Sequence, residues 1–356
     1  MSQVRAVLVT PLSGPLARFG REGAAALSLW ARTSQPGGRR VTLQVVDAHP
    51  DAAAAMHAVE QARPDLLFGP YGSGPALAAV RATHRLVWNH GGASSRLRWP
   101  EVGNVINILA PASRYHEGAV EAVHDAEGAR SSVALLHVDT GFGRDVAGGA
   151  DRFARGSGWD VHVESFHPGE VEQATRSLPE ADLLLVAAGF DDEIAAGRIL
   201  LRRRWRAAAF VGAGEQDVLS PLGARREGLL GPAQWLASAA PTPDEGPDAQ
   251  WFVSAFHDRA GHPPSYPAAQ AFAAGIVAGY CLAAAGTAHD EAVRQAATQV
   301  QLTTFYGRFR LDPHSGLQVG QSVLTVQWQE GRRQVVWPPD RATARLVHPR
   351  TAPGRP

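Results

Sequence analysis

Short apolar runs of strand character alternate with amphipathic helical stretches over most of this chain, and that alternation constrains its fold more than any other feature. Val4–Val9, Val41–Asp47, Asp65–Phe68, Leu86–Trp88 and Val105–Ile108 read as strands. Leu16–Arg32, Asp51–Ala62 and Pro75–Thr83 read as the helices between them. In the first helix Phe19, Gly23, Leu27 and Trp30 share one face, a 3.6-residue stripe suited to packing on a sheet. Around Leu109–Ser113 the rhythm restarts. Strands at Ser132–His137, Asp160–Glu164, Asp182–Ala187 and Ala208–Gly212 then alternate with helices at Arg114–Ala126, Arg144–Arg155 and Asp192–Arg204. Such spacing predicts parallel sheets with right-handed crossovers, and two such blocks predict an α/β protein of two similar lobes.

Polar, glycine-rich segments follow three strands of the first block. They are Thr10-Pro11-Leu12-Ser13-Gly14-Pro15, Gly69-Pro70-Tyr71-Gly72-Ser73-Gly74 and Asn89-His90-Gly91-Gly92-Ala93-Ser94-Ser95. Loops leaving the carboxyl ends of parallel strands are where such sheets bind small molecules. Backbone N–H groups near a helix start suit a carboxylate or another acceptor-rich group.

After Trp235 the pattern changes. A loop at Pro241–Pro247 leads to helices at Asp248–Ala260, Ala268–Ala285 and Asp290–Val300. Gly307–Leu311 and Val323–Trp337, with a turn at Gly331, read as antiparallel ribbon. The Arg/Pro/Ala-rich stretch from Asp340 to Pro356 reads as a loose tail.

Composition excludes several function classes. The chain of 356 residues balances 34 basic against 34 acidic side chains, which leaves no electrostatic footprint for nucleic acid or an anionic membrane. Every one of those basic residues is arginine, so a Schiff-base, Walker-A or kinase-type lysine is absent. Cys281 is the single cysteine, which rules out an internal disulfide or a multi-cysteine zinc site, and it reads as a small buried hydrophobe. The Ala268–Ala285 run is interrupted by Gln270, Gly275, Gly279 and Tyr280, and reads as a core helix rather than a membrane span. The first strand begins at Val4, leaving no room for a secretory signal before it. Either the protein is cytoplasmic or a signal has been trimmed from the sequence.

Further segments carry a family resemblance. They are Phe19-Gly20 after the first loop, Gly69-Pro70 with Ser73, Gly92-Ala93-Ser94, Thr140-Gly141-Phe142-Gly143 and Pro263-Pro264-Ser265-Tyr266. Thr304–Arg310, Val326-Gln327-Trp328 and Val336-Trp337-Pro338 complete the series. In this order the chain resembles the leucine/isoleucine/valine-binding type of periplasmic binding protein, the type I solute receptors of ABC transporters. The resemblance implies two Rossmann-like lobes joined by a three-strand hinge, with a central ligand cleft that closes by hinge motion. It implies a first lobe of residues 1–111 and 238–321, a second of 112–237 and 322–340, and a tail of 341–356. Crossings are implied at Leu109–Ser113, Gln234–Ala237 and Gly320–Val323.

By the same resemblance Phe19 stands over the ligand, while Ser73 and Ser94, with Ala93 between Ser94 and Gly92, meet the carboxylate of an amino acid. The Gly92 carbonyl takes the ammonium. Phe142, Phe190 and Asp191 are implied from the second lobe. Branched-chain amino acid receptors supply an acid after the strand matching Ala208–Gly212. Here Gly214 holds that place, with Glu215 one residue on, and Asp191 is the alternative acid. His90 is atypical beside the third loop and reads as a capping or surface imidazole.

Other motifs fail on inspection. Val211-Gly212-Ala213-Gly214 lacks the third glycine of a dinucleotide loop, and Tyr71 stands where a nucleophile elbow needs glycine. His116-Glu117 is followed by Val120 where a zinc-binding histidine is required. Arg202-Arg203-Arg204-Trp205-Arg206 reads as a solvated face at a helix C-terminus. No catalytic constellation, metal site or cofactor motif remains. The expected function is solute binding for an ABC permease, of a branched-chain or other amino acid. The alternative is a cytoplasmic sensor of an amide or urea on the same fold.

Overall fold

The computed structural model describes residues 3–127 and 131–347. The chain forms two compact units: residues 1–111 with 235–322, and residues 112–234 with 323–356. Unit 1 opens with β1 (Val4–Thr10), α1 (Ala17–Thr33), β2 (Val41–Asp47), α2 (Ala52–Glu60), β3 (Leu66–Phe68), α3 (Ser73–Arg81), β4 (Val87–Asn89) and β5 (Val105–Asn107). Unit 2 follows with α4 (Glu117–Glu127), β6 (Ser132–Val138), α5 (Gly141–Gly156), β7 (Asp160–Phe166), α6 (Val171–Ser177) and β8 (Leu183–Ala187). It continues through α7 (Phe190–Leu200), β9 (Ala207–Phe210) and β10 (Leu230–Ala233). The chain returns to unit 1 as α8 (Ala249–Ala260), α9 (Tyr266–Ala285), α10 (Asp290–Gln299), β11 (Leu302–Thr304) and β12 (Gly307–Phe309). It ends in unit 2 with β13 (Leu324–Gln329) and β14 (Arg332–Trp337).

The unit 1 sheet is parallel throughout, in the order β2-β1-β3-β4-β5. Strand order reverses between β1 and β3, so the loops leaving those two strands diverge to opposite faces and open a crevice. One face of the sheet carries Trp30, Phe68, Phe252 and Phe272 in a core with α1, α8 and α9. Val7, Met56, Val80 and Val105 form the core on the other face, with α2 and α3. Burial on both faces explains why β1, β3, β4 and β5 run largely apolar, whereas the edge strand β2 alternates between partly buried and exposed residues.

Unit 2 repeats the plan. Its parallel strands lie in the order β7-β6-β8-β9-β10, which again reverses between the first strand of the unit and its third. The antiparallel hairpin β13–β14 extends that sheet beside β10, turning through Glu330 and Gly331, which both have positive φ. Gly307–Leu311 does not join that ribbon. Its β12 pairs with β11 in a separate two-stranded sheet of unit 1. The segment α6 and strand β10 had no signal in the sequence pattern. Leu-Gly-Pro-Ala lacks strand propensity, and β10 meets its parallel neighbour at the single pair Leu230–Ala209 while pairing along its length with β13.

Part of the expected tail is ordered. The Val335 and Thr343 backbones and the Thr343 hydroxyl exchange hydrogen bonds, Val347 and the Gln327 side chain do the same, and Leu346 packs on the unit 2 core. Residues 348–356 of that tail lie outside the described residues. The arginine run is also less solvated than its charge implied. Arg203 donates to the Thr175 and Leu178 carbonyls at the end of α6, and Trp205 is buried with its indole N–H on the Leu200 carbonyl. Tyr266–Ala285 is mostly buried as a core helix, and Cys281 within it is fully buried, its thiol pushed up to about 12 by burial.

Candidate functional site

The expected residues of unit 1 gather at the carboxyl ends of β1, β3 and β4. The first loop is braced by Asp47 at the end of β2, which accepts from the Leu12 N–H at 2.8 Å and the Ser13 hydroxyl at 2.6 Å. Burial raises the Asp47 pKa, but these bonds and one from the His49 N–H outweigh it and hold the group down to about 2. The second and third loops are tied directly: the Gly72 N–H donates to the Gly91 carbonyl at 3.0 Å. Gly72 has φ 99° and a side chain there would meet Leu16, so the sharp turn into α3 requires glycine. Ser73 then opens α3, whose first turn carries no acid. The first intrahelical bond is from the Ala76 N–H to the Gly72 carbonyl, so the Ser73 and Gly74 N–H groups precede it and face the end of the helix.

The third loop is fixed from within. Asn89 accepts from the Gly92 N–H at 2.8 Å and donates to the Gly92 carbonyl at 2.7 Å, while Asn107 accepts from Asn89 at 2.8 Å. The Gly92 carbonyl, expected to take an ammonium, is thus already an acceptor in buried surroundings. Ala93 and Ser94 are buried too, and the Ser94 hydroxyl accepts from the Arg96 N–H at 3.3 Å.

His90 contradicts the surface or capping reading. It is fully buried, with its ring against Gly23 of α1, and burial lowers its pKa to about 4. The imidazole is neutral at physiological pH.

Aromatic rings complete this region. Phe19 stacks on Tyr71 with centroids 4.8 Å apart, Tyr266 lies 6.5 Å from Phe19, and the Tyr71 and Tyr266 hydroxyls are hydrogen-bonded. Phe19 is 8% exposed, whereas Tyr71 and Tyr266 are only partly buried. Sequence reasoning named Phe19 and passed over both tyrosines. Their signal was position: Tyr71 stands two residues before α3 and Tyr266 opens α9, both in the segments Gly69–Gly74 and Pro263–Tyr266.

In unit 2 the loops after β6 and β8 flank the second reversal of strand order. The Thr140 hydroxyl caps α5 by accepting from the Gly143 N–H, and Phe142 sits in the first turn, partly buried. Its ring meets Tyr115 edge-on at 6.1 Å, and the Gln234 amide donates to the Tyr115 hydroxyl at 3.2 Å. Burial, opposed by the Gln234 hydrogen bond and aided to a smaller extent by the Glu215 and Asp145 carboxylates, pushes the Tyr115 phenol up to about 12. Phe190 begins α7, partly buried, and Asp191 beside it is exposed. Glu215 is partly buried in the field of Arg333, whose guanidinium donates to the Gly214 carbonyl and to Gln216. Tyr115, Asp145 and Gln234 carried no sequence signal, because only the packing of unit 2 gathers them around Phe142 and Glu215. Among the described residues no cluster of three or more His, Cys, Asp or Glu could hold a metal ion.

A family model described as periplasmic binding protein matches residues 3–333. The chain belongs to the periplasmic binding protein family. A leucine binding protein from Thermotoga maritima is 17% identical with a TM-score of 0.78, over 93% of this chain and 97% of that one. An ABC transporter solute binding protein from R. palustris, solved in complex with benzoate, is 17% identical with a TM-score of 0.75, over 94% and 96%. An ABC transporter substrate-binding protein from Sphaerobacter thermophilus is 21% identical with a TM-score of 0.76, over 99% of both chains. At these identities the likeness is one of fold. Periplasmic binding proteins are solute receptors and not an enzyme family, and the α/β architecture of two units with mostly parallel sheets is the family's own.

Proposed function

We propose that this periplasmic binding protein is an ABC transporter receptor for a small organic acid, and that unit 1 receives the carboxylate. The observation that carries this reading is the Gly72–Gly91 hydrogen bond, which sets the opening of α3 beside the Ser94 loop. A helix start with no acid of its own favours an anion, and hydrogen bonds to a charged group contribute about 1.5–3 kcal/mol each. Leucine and benzoate, named for two of the similar structures, differ in most respects but share a carboxylate and an apolar body.

An amino acid is the first reading of the ligand. Its ammonium needs an acidic partner, because an unpaired charge taken out of water is costly. Glu215 serves in this reading, with Asp191 as the alternative, while Phe142 and Phe190 line the apolar body. An aromatic acid is the second reading, favoured by the Phe19–Tyr71–Tyr266 wall, which offers ring faces for stacking. In both, the protein works outside the cytoplasmic membrane and hands its ligand to permease subunits.

Calorimetry with leucine, leucinamide, benzoate and benzamide tests the proposal. The acids should bind and their amides should bind at least tenfold more weakly. Equal affinity for acid and amide overturns the carboxylate wall.

A further inference from the structure

Glu193 lies in the first turn of α7, fully buried. Its partners are three backbone amides drawn from two different loops. Oε1 accepts from the Ala188 N–H at 3.3 Å, at the exit of β8, and from the Val211 N–H at 3.1 Å. Oε2 accepts from the Gly212 N–H at 2.6 Å, in the single turn that follows β9. A side chain at position 212 would place its Cβ 2.7 Å from Oε2, so glycine there is what admits the carboxyl group. Each loop carries a residue of the proposed ligand wall: Phe190 and Asp191 follow Ala188, and Glu215 follows Gly212 in a turn closed by their own hydrogen bond.

We propose that Glu193 is a positioning residue, its buried carboxyl group fastening the loop that presents Phe190 and Asp191 to the loop that presents Glu215. This inference rests on the reading that those loops meet the ligand. Loops at strand exits are ordinarily the more mobile parts of a parallel sheet. A side chain that satisfies three amides across two of them holds both in one geometry before ligand arrives, which lowers the ordering cost of binding. It also explains a burial that is otherwise unfavourable, since a carboxyl group removed from water needs full hydrogen bonding.

Glu193→Gln is the informative variant. It keeps the shape and two acceptor bonds but turns an N–H₂ group toward the Gly212 N–H. Hydrogen exchange on the free protein should show faster exchange confined to residues 188–192 and 211–216, with the melting transition of the fold retained. Binding of leucine and of benzoate is then measured for wild type, Glu193→Gln, Glu215→Gln, Phe190→Ala and the double variants. Glu193→Gln should weaken the ligand that binds by about tenfold, and by less than the product of the single effects when combined with Phe190→Ala or, for leucine, with Glu215→Gln. Unchanged exchange in the two loops overturns the fastening, whatever binds. Wild-type affinity in Glu193→Gln, with a loss in Phe190→Ala or, for leucine, in Glu215→Gln, overturns Glu193 and leaves the ligand wall standing. Wild-type affinity in all three single variants sinks the unit 2 wall, and the role given to Glu193 with it.

Discussion

The Phe19 and Tyr71 rings are stacked, centroids 4.8 Å apart and planes inclined by 21°. The first comes from α1 after β1 and the second from the loop after β3, so the pair spans the place where strand order reverses. Tyr71 is the less buried of the two and presents the open surface. Tyr71→Leu should weaken benzoate more than leucine, by about 0.5–1.5 kcal/mol, the magnitude of an aromatic pair beyond its area. Equal losses for both ligands, by calorimetry, would remove stacking from the account.

Ser73→Ala and Ser94→Ala should each weaken an acidic ligand by roughly tenfold to a hundredfold, from the loss of about 1.5–3 kcal/mol. Their effects on the free protein should differ. Ser94 also accepts from the Arg96 N–H, so its removal costs about 1 kcal/mol of stability, whereas Ser73→Ala should melt as wild type. Unaltered affinity in both variants would move the carboxylate elsewhere.

If the ligand is an amino acid, Glu215→Gln or Asp191→Asn should weaken it by tenfold or more, about 1.4 kcal/mol. Neither should weaken benzoate, which has no ammonium. A titration series with leucine and benzoate against both variants separates the two ligand readings. Full leucine affinity in both rules out these acids as the ammonium partner.

The buried His90 imidazole has a folded pKa of about 4 against an ordinary 6.5, because burial disfavours its charged form. The unfolded chain therefore binds a proton that the folded chain does not, over the window from 6.5 down to 4. Stability from this group is fully present above pH 6.5 and is lost as pH falls toward 4. In urea melts across that window, His90→Leu should flatten the slope by up to one proton, about 1.4 kcal/mol per pH unit. An unchanged slope would show that His90 is protonated without cost, contrary to its burial.

Most of the fold was legible in the chain because parallel strands joined by helical crossovers leave short, largely apolar runs separated by amphipathic stretches. Val41–Asp47 appears as a strand with the expected bounds, and α1, α2 and α8 to α10 lie within a few residues of their expected positions. What periodicity did not reveal was pairing. Gly307 joins a ribbon with Leu302–Thr304 and not with Val323–Trp337, since register depends on partners far away in sequence. Residues 343–347 looked like tail by composition, yet they hydrogen-bond along β13 and β14.

The sequence by itself determined the family, the two parallel-sheet blocks and the loops that stand at strand exits, because glycine, proline and serine mark those exits locally. Tertiary structure alone decided which groups share a surface. Tyr71 meets Tyr266 across 195 positions and Glu193 reaches Gly212 across 19, distances over which no local pattern operates. It also set the cost of charge: burial, which no composition records, makes the His90 imidazole harder to protonate and the Tyr115 phenol harder to ionise.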